Sequence, residues 1–169
     1  MLGAVLIIAG IVGLGLFLPR KAQAASEFIV NEGKKEAETL EALIRRIATR
    51  HGVEEALVLA HVKVESDFNP RAKNPNDPSY GLMAITPILA QDYGFVYDWK
   101  NPTPGEIEKL YDPELNLTIG VKFIKRLHAE YPFDAAVQMY NCGETGYNSG
   151  VRVPEYLAKV KRYYNEYRA

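Results

Sequence analysis

The segment VEEALVLAHVKVESDFNP, residues 53–70, joins an apolar helical pattern to an abrupt polar end. Val58, Val62 and Glu65 lie at positions i, i+4 and i+7, so they share one face of the predicted helix. That face is otherwise apolar, and Asn69-Pro70 ends the helical pattern. The pattern therefore directs a glutamate at the protein interior or at the floor of a cleft.

A carboxyl group among apolar side chains is costly to ionise, so its pKa rises. A raised pKa is what a general acid needs in order to hold its proton near neutral pH. This makes Glu65 a candidate catalytic residue. The alternative is structural, with Glu65 ending the helix in water or pairing with nearby Lys63 or Arg71.

Composition sets the broad class of the protein. The chain has 169 residues, of which 47% are hydrophobic and 24% charged, which is typical of one globular domain with a short appendage. A net charge of −1 gives no electrostatic footprint for nucleic acid, so we expect no nucleic-acid partner. The three histidines have no metal-ligand spacing, and we expect neither a metal nor another cofactor.

The amino-terminal segment is strongly apolar. Residues 2–18 contain no polar side chain, and as a helix they would reach about 25 Å, near the thickness of a bilayer core. We predict a transmembrane anchor or uncleaved signal over residues 1–20, then a tether over residues 21–36. A cleaved signal peptide using Ala22-Gln23-Ala24 is the alternative. Basic residues after the apolar run favour a cytoplasmic flank, an expectation that a virion membrane would relax.

The body, residues 37–169, shows helical rather than alternating patterns. It is predicted to be all-α, with at most a small irregular β element between Asn69 and Ile85. The predicted helices run from Leu40 to His51-Gly52, from Val53 to about Glu65, from Thr103-Pro104, from Asp112-Pro113 to about Glu130, from Phe133 to Tyr140, and through PEYLAKVKRYYNEY near the end.

Three further polar stretches could converge with Glu65 on one cleft. Ser66 follows it directly and could bond a ligand or the turn. Gly81 lies in GLMAITP, where a ligand could approach the backbone closely. Tyr140 and Asn141 close a helix that is predicted to open into a glycine-rich loop. Together these stretches would supply an acid, a backbone platform, a phenol and an amide.

These motifs resemble those of a known family. They are Glu65-Ser66 with Asn69-Pro70, then Gly81-Leu82-Met83, then Tyr140-Asn141 with Gly143, and finally Tyr156 in the last helix. In this order and spacing they are similar to the lytic transglycosylase domain of the soluble-lytic-transglycosylase type, which is related to goose-type lysozyme. The resemblance covers roughly residues 37–165 and implies an all-α, lysozyme-like domain.

The resemblance implies a function on peptidoglycan. Such a domain cleaves the β-1,4 bond between N-acetylmuramic acid and N-acetylglucosamine, so glycan strands would be its partner. Glu65 would first protonate the leaving oxygen and then act as base on the 6-hydroxyl of the muramic acid, giving a 1,6-anhydro end. The implied substrate-binding residues are Ser66, Gly81, Leu82, Met83, Tyr140, Asn141 and Tyr156.

Two positions depart from the family pattern. Ala84 stands where glutamine often follows Gly-Leu-Met, which removes a polar contact to the sugar. Cys142 stands where alanine is usual after Tyr-Asn, a small change that packing should tolerate. Leu82 and Met83 are equally well interpreted as core residues.

Two other functions stay open from the sequence. A hydrolytic muramidase on the same fold would need a second carboxylate, for which Asp77 is a candidate and Asp67 is too close to Glu65. An inactive glycan-binding subunit of a virion or envelope-spanning machine is the other. The small size suits an enzyme that opens the wall locally for an entering phage or a secretion-type assembly.

Overall fold

The computed structural model describes residues 38–169, and in that range it contains seven α-helices and two isolated β-bridges. The helices are α1 (Leu40–His51), α2 (Glu55–Ser66), α3 (Pro87–Asp92), α4 (Pro104–Lys109), α5 (Pro113–Glu130), α6 (Phe133–Asn148) and α7 (Pro154–Arg168). The bridges pair Tyr80 with Lys73 and with Ile85. This confirms the predicted all-helical body with a small irregular β element.

The transmembrane part of the predicted fold class is corrected. Within residues 38–169, no helix is both long enough and apolar enough to cross a membrane. The longest of them, α5, has 18 residues, but charged side chains such as Lys122, Lys125 and Arg126 interrupt it. The predicted anchor over residues 1–20 and tether over residues 21–36 lie outside the described residues.

Local capping signals placed several helix ends as predicted. Gly52 ends α1 in the left-handed conformation with φ 67°. Thr103 begins α4 with a capping box in which Glu106 returns the hydrogen bond. The side chain of Asp112 begins α5 by accepting from the backbone N–H of Leu115. These ends depend on neighbours in sequence, so the pattern alone predicts them.

Helix α2 is the central element of the described unit. Every residue from Ala56 to Val62 is buried, and the helix packs against α1 and α7. A helix that is apolar all round is typical of a protein core. It ends at Asp67, whose backbone has a left-handed φ of 52°. The end of α2 therefore brings Glu65 to the boundary between the core and the surface.

A buried asparagine holds the turn at residues 80–83, which comes after α2 in the chain. Asn116 on α5 donates from Nδ2 to the backbone oxygens of Tyr80 and Leu110, at 2.8 and 2.7 Å, and its Oδ1 accepts from Met83 N at 2.8 Å. A Cβ at Gly81, where φ is 76°, would lie 2.3 Å from this Nδ2. Glycine is therefore required for the close approach.

Two elements differ from the prediction. The stretch after Asn141 is not a loop, because α6 resumes after a kink at Gly143 and continues to Asn148. Gly143 absorbs the kink with φ 73° and ψ 158°. Helix α3, capped by the Thr86 side chain, was not predicted because its six residues are too short to show periodicity.

Candidate active site

Glu65 lies in the last turn of α2 and lines a cleft of about 630 Å³. Its Oε1 accepts a hydrogen bond from the hydroxyl of Tyr156 on α7, at 2.5 Å. The two residues are separated by 91 positions in sequence, so only the packing of α2 against α7 brings them together. The carboxyl group is thus anchored from behind while it faces the cleft.

The surroundings of Glu65 favour its protonated form. Burial raises the pKa of Glu65 from 4.5 to about 7, because apolar neighbours cannot solvate the charge. The hydrogen bond from Tyr156 opposes this and lowers the pKa, whereas the nearby carboxylate of Asp77 raises it. Burial is the largest of these effects. Near neutral pH the carboxyl therefore keeps a proton that it can donate, which an exposed glutamate would have lost.

Tyr140 forms the neighbouring part of the cleft from α6. Its hydroxyl donates to the backbone oxygen of Met83 at 2.8 Å, which ties α6 to the turn held by Asn116. Its ring lies 5.3 Å from that of Phe123, between ring centroids. Burial and the charge of Glu65 raise the pKa of Tyr140 well above its usual range, so the phenol stays neutral.

The outer part of the cleft is polar and charged. The Arg126 guanidinium bonds the Glu144 carboxylate at 2.6 Å and lies 5.2 Å from the centre of the Phe123 ring. Lys73 and Asp92 also line the cleft. The lining is thus about as polar as it is apolar, and the volume is in the usual range for ligand sites.

Comparison with known proteins identifies the family. Residues 42–161 match the profile described as the Transglycosylase SLT domain, which covers more than half of the chain. This chain belongs to the SLT transglycosylase family. The resemblance inferred from the motifs is confirmed.

Two curated relatives are similar to the SLT domain of this chain. They are the membrane-bound lytic murein transglycosylases C of Yersinia pestis (strain Pestoides F) and Yersinia pseudotuberculosis (serotype O:1b). Each is 34% identical over 105 residues, which is 62% of this chain and 29% of the relative. The chain therefore matches less than a third of the length of these proteins.

A solved structure also matches the SLT domain. It is an inactive mutant of the lytic transglycosylase Slt from Pseudomonas aeruginosa, with 18% sequence identity and a TM-score of 0.49. The match covers 70% of this chain and 20% of that one.

The structure brings together only some of the predicted site residues of this SLT domain. Glu65, Gly81, Tyr140 and Asn141 line the cleft. Tyr156 does not line it but contacts Glu65 from behind. Tyr156, predicted as a substrate-binding residue, therefore lies behind the Glu65 carboxyl rather than on the cleft surface.

Three predicted residues lie away from the cleft surface. Leu82 and Met83 are fully buried in the core, and only the backbone of Met83 bonds the site through Asn116 and Tyr140. The Ser66 hydroxyl donates to the carbonyl of Val62 at 3.1 Å, one turn earlier in α2. Their side chains therefore shape the site indirectly.

Both departures from the SLT pattern lie on the cleft. Ala84 and Cys142 line it, and Ala84 has a positive φ of 48°, which non-glycine residues rarely adopt. The Ala84 methyl group leaves this part of the cleft without the amide of a glutamine. Packing accommodates Cys142, whose thiol is partly buried.

Sequence reasoning missed two residues that organise the site. Asn116 lies on the buried face of α5 with Gly120 and Leu127, and a lone polar residue on an apolar stripe was the available signal. His61 lies on α2 one turn before Glu65 and is fully buried. Its signal was similar, a histidine inside an apolar run of seven residues.

Proposed function

We propose that residues 38–169 form a peptidoglycan lytic transglycosylase that cleaves the β-1,4 bond between N-acetylmuramic acid and N-acetylglucosamine. The observation that carries the proposal is the Glu65 carboxyl, with a pKa of about 7, lining a cleft of about 630 Å³. Membership of the SLT transglycosylase family supports the substrate class. The names of the two Yersinia relatives point to murein as well.

The first step is general acid catalysis by Glu65. The protonated carboxyl donates to the glycosidic oxygen, the bond to the anomeric carbon breaks, and the leaving sugar departs as an alcohol. The partial burial that keeps Glu65 neutral also makes its carboxylate a strong base once the proton has gone. The 2-acetamido group of the muramic acid stabilises the cationic centre, so a second enzyme carboxylate is not required.

The second step reverses the role of Glu65. Its carboxylate takes the proton of the 6-hydroxyl on the same muramic acid, and that oxygen closes on the anomeric carbon. The product is a 1,6-anhydro end, and Glu65 regains the proton that it gave. No water is consumed, which distinguishes this reaction from hydrolysis.

Hydrolysis is a second candidate, and one observation favours it. Asp77 lines the same cleft, and its charge acts on Glu65 strongly enough to raise the pKa of that carboxyl. A second carboxylate across the cleft could activate a water molecule as general base. Asp77 is bonded by the side chain of Asn74 at 2.8 Å, which holds it in place.

Product analysis separates the two reactions. Purified peptidoglycan is digested with the wild-type chain, with Glu65→Gln and with Asp77→Asn, and the released fragments are measured by mass spectrometry. We expect anhydro ends from the wild type and from Asp77→Asn, and a loss of about 10²–10⁴ in rate for Glu65→Gln. Reducing ends that disappear in Asp77→Asn would establish hydrolysis instead. Undiminished digestion by Glu65→Gln would contradict both schemes.

The proposed setting is the bacterial cell wall. There we propose a local opening of the wall as the role of the domain, as in an entering phage or a secretion-type assembly.

A further inference from the structure

His61 and Glu65 share one hydrogen-bond partner, the hydroxyl of Tyr156. The Tyr156 oxygen lies 3.0 Å from His61 Nδ1 and 2.5 Å from Glu65 Oε1. His61 lies four residues before Glu65 on α2, so both side chains lie on the same face of the helix. The His61 ring also packs on Tyr140, with 4.6 Å between ring centroids. The histidine therefore lies between two tyrosines of the site.

The Tyr156 hydroxyl has one hydrogen, and this limits the chain to two arrangements. In the first, His61 Nδ1–H donates to Tyr156, and Tyr156 donates to Glu65 Oε1. In the second, Tyr156 donates to a bare Nδ1, and a protonated Oε1 of Glu65 donates back to Tyr156. The second arrangement places the acid proton behind the cleft, where no substrate can receive it.

The other nitrogen of His61 decides between these arrangements. Nε2 is buried and has no hydrogen-bond partner among residues 38–169. Either tautomer lets Nδ1 bond Tyr156 and leaves Nε2 without a partner among the described residues. Hydrogen on Nε2 would leave a buried donor unpaired, which proteins avoid more strictly than the unpaired acceptor that a bare Nε2 leaves, so hydrogen on Nδ1 is favoured. Burial and the neighbouring His128 lower the pKa of His61 to about 3, so the ring stays neutral with a single hydrogen.

We infer that His61 is a positioning residue for the acid: its Nδ1–H holds the Tyr156 hydroxyl on Glu65 Oε1, so that the catalytic proton lies on the other carboxyl oxygen, toward the cleft. This inference rests on the proposed function of Glu65. His61, a core histidine, would thus orient the proton of Glu65 without transferring a proton itself.

Loss of the His61 donor has a predictable effect on Glu65. The groups that face Glu65 are Tyr156 from α7, Tyr140 from α6 and Asp77 from the loop after α2. A hydroxyl that accepts a hydrogen bond donates more strongly, so the His61 bond strengthens the bond from Tyr156 to Glu65. Without it, that bond weakens, and the pKa of Glu65 rises further.

The tautomer can be measured in the wild-type chain. ¹⁵N-detected NMR of the histidine-labelled protein distinguishes a hydrogen on Nδ1 from a hydrogen on Nε2. We expect His61 to be the Nδ1–H tautomer between pH 5 and 8, with no titration in that range. An Nε2–H tautomer would overturn the inference. This experiment needs no activity, so its result is independent of the proposed function.

Variants test the consequence for catalysis. His61→Leu removes the donor, whereas His61→Asn keeps an N–H at the position of Nδ1. His128→Leu controls for the loss of a half-buried histidine whose buried Nε2 also lacks a partner in the described part of the chain. Each is assayed for kcat, for KM and for the pH dependence of kcat on soluble glycan strands.

We expect His61→Leu to lower kcat by about tenfold, less than the loss of the acid itself, with little change in KM. The basic limb of the pH profile of kcat should move to higher pH in His61→Leu, since the pKa of Glu65 rises. In His61→Asn and His128→Leu this limb should stay at the wild-type position. The inference would be overturned if the fall in kcat of His61→Leu were explained by its smaller folded fraction and the basic limb of its pH profile did not move. If the wild type digests no peptidoglycan while the tautomer is Nδ1–H, the proposed function fails and the hydrogen-bond chain stands.

Discussion

The cleft has a buried wall and an open rim, and the pKa of a glutamate shifts in opposite directions in the two regions. The buried wall consists of Glu65, which lines the cleft, and of Tyr156, His61 and Asn116, which do not line it but support it. Most of their polar atoms bond one another or the backbone, whereas His61 Nε2 has no partner among residues 38–169. The open rim consists of Asn141, Arg126 and Glu144. In the rim, Arg126 lowers the pKa of the Glu144 carboxyl. In the wall, burial raises the pKa of Glu65.

The difference between the wall and the rim comes from water. A rim carboxylate can exchange its arginine for solvent at little cost, so the ion pair contributes little to stability. A wall group has no such alternative, and an unpaired partner there costs the full desolvation penalty. The same residue type, glutamate, is therefore a solvated anion on the rim and a neutral proton donor in the wall.

Removing the buried amide should have the largest effect. Asn116→Ala leaves the N–H of Met83 and the carbonyls of Tyr80 and Leu110 without their partner, so we expect the free energy of unfolding to fall by about 3–5 kcal/mol. Asn141→Ala on the rim is the matched control and should change it by less than about 0.5 kcal/mol. Urea denaturation measures both, and equal losses would remove the distinction between wall and rim.

The next effect is a pH-dependent gain in stability from Glu65→Gln. Folding raises the pKa of Glu65 from 4.5 to about 7, so the folded state binds the proton more tightly than the unfolded state. The wild type therefore loses stability as pH rises from about 4.5 to about 7, by up to about 3 kcal/mol.

The glutamine variant has no such proton. Its free energy of unfolding should therefore exceed that of the wild type above pH 7, and the difference should vanish below pH 4. Urea denaturation at pH 4 and pH 8 measures this. A constant difference between the two proteins at both pH values would contradict a raised pKa.

Tyr156→Phe should have an intermediate effect on catalysis. It keeps the ring but removes the hydroxyl that orients Glu65, and we expect kcat to fall by about 10- to 100-fold. The hydrogen bond from Tyr156 lowers the pKa of Glu65, so its loss moves the basic limb of the pH profile to higher pH. Tyr163→Phe on the same helix is the control. A basic limb at the wild-type position would show that the Tyr156 hydroxyl does not act on Glu65.

The smallest effect should come from the rim ion pair. Glu144→Gln removes the nearer of the two carboxylate partners of Arg126, the other being Glu130 at 3.7 Å. The Arg126 side chain is 40% exposed, so we expect stability to change by less than about 1 kcal/mol. Added salt should reduce even that difference, because exposed charges are screened. Thermal unfolding at low and high salt measures it. A loss as large as that of Asn116→Ala would mean that the rim is as tightly built as the wall.

The sequence predicted most helix ends correctly because the signals are local. Thr103, Asp112 and Gly52 act on residues within a single turn, so their effect does not depend on the rest of the fold. The loop predicted after Asn141 was wrong because one glycine, Gly143, can kink a helix without ending it. Composition and spacing do not distinguish these two outcomes.

Site residues were harder to predict because their roles depend on burial. Gly81 and Asn141 line the cleft, whereas Leu82 beside Gly81 is fully buried in the core. In an irregular turn, two neighbouring residues can face opposite sides, one the cleft and the next the core. The sequence assigned no site role to His61, since its contact with Tyr156 spans 95 positions.

By itself the sequence determined the helical class, the family motifs and Glu65 as the candidate acid, because helical periodicity and short motifs are written in neighbouring residues. Only the tertiary structure decided that Glu65 has a raised pKa, that Tyr156 contacts its carboxyl, and that Asn116 and His61 hold the buried wall. The pKa and the orientation of a proton depend on which atoms exclude water and which atoms receive hydrogen bonds. Those atoms come from α2, α5 and α7, which meet only when the chain folds.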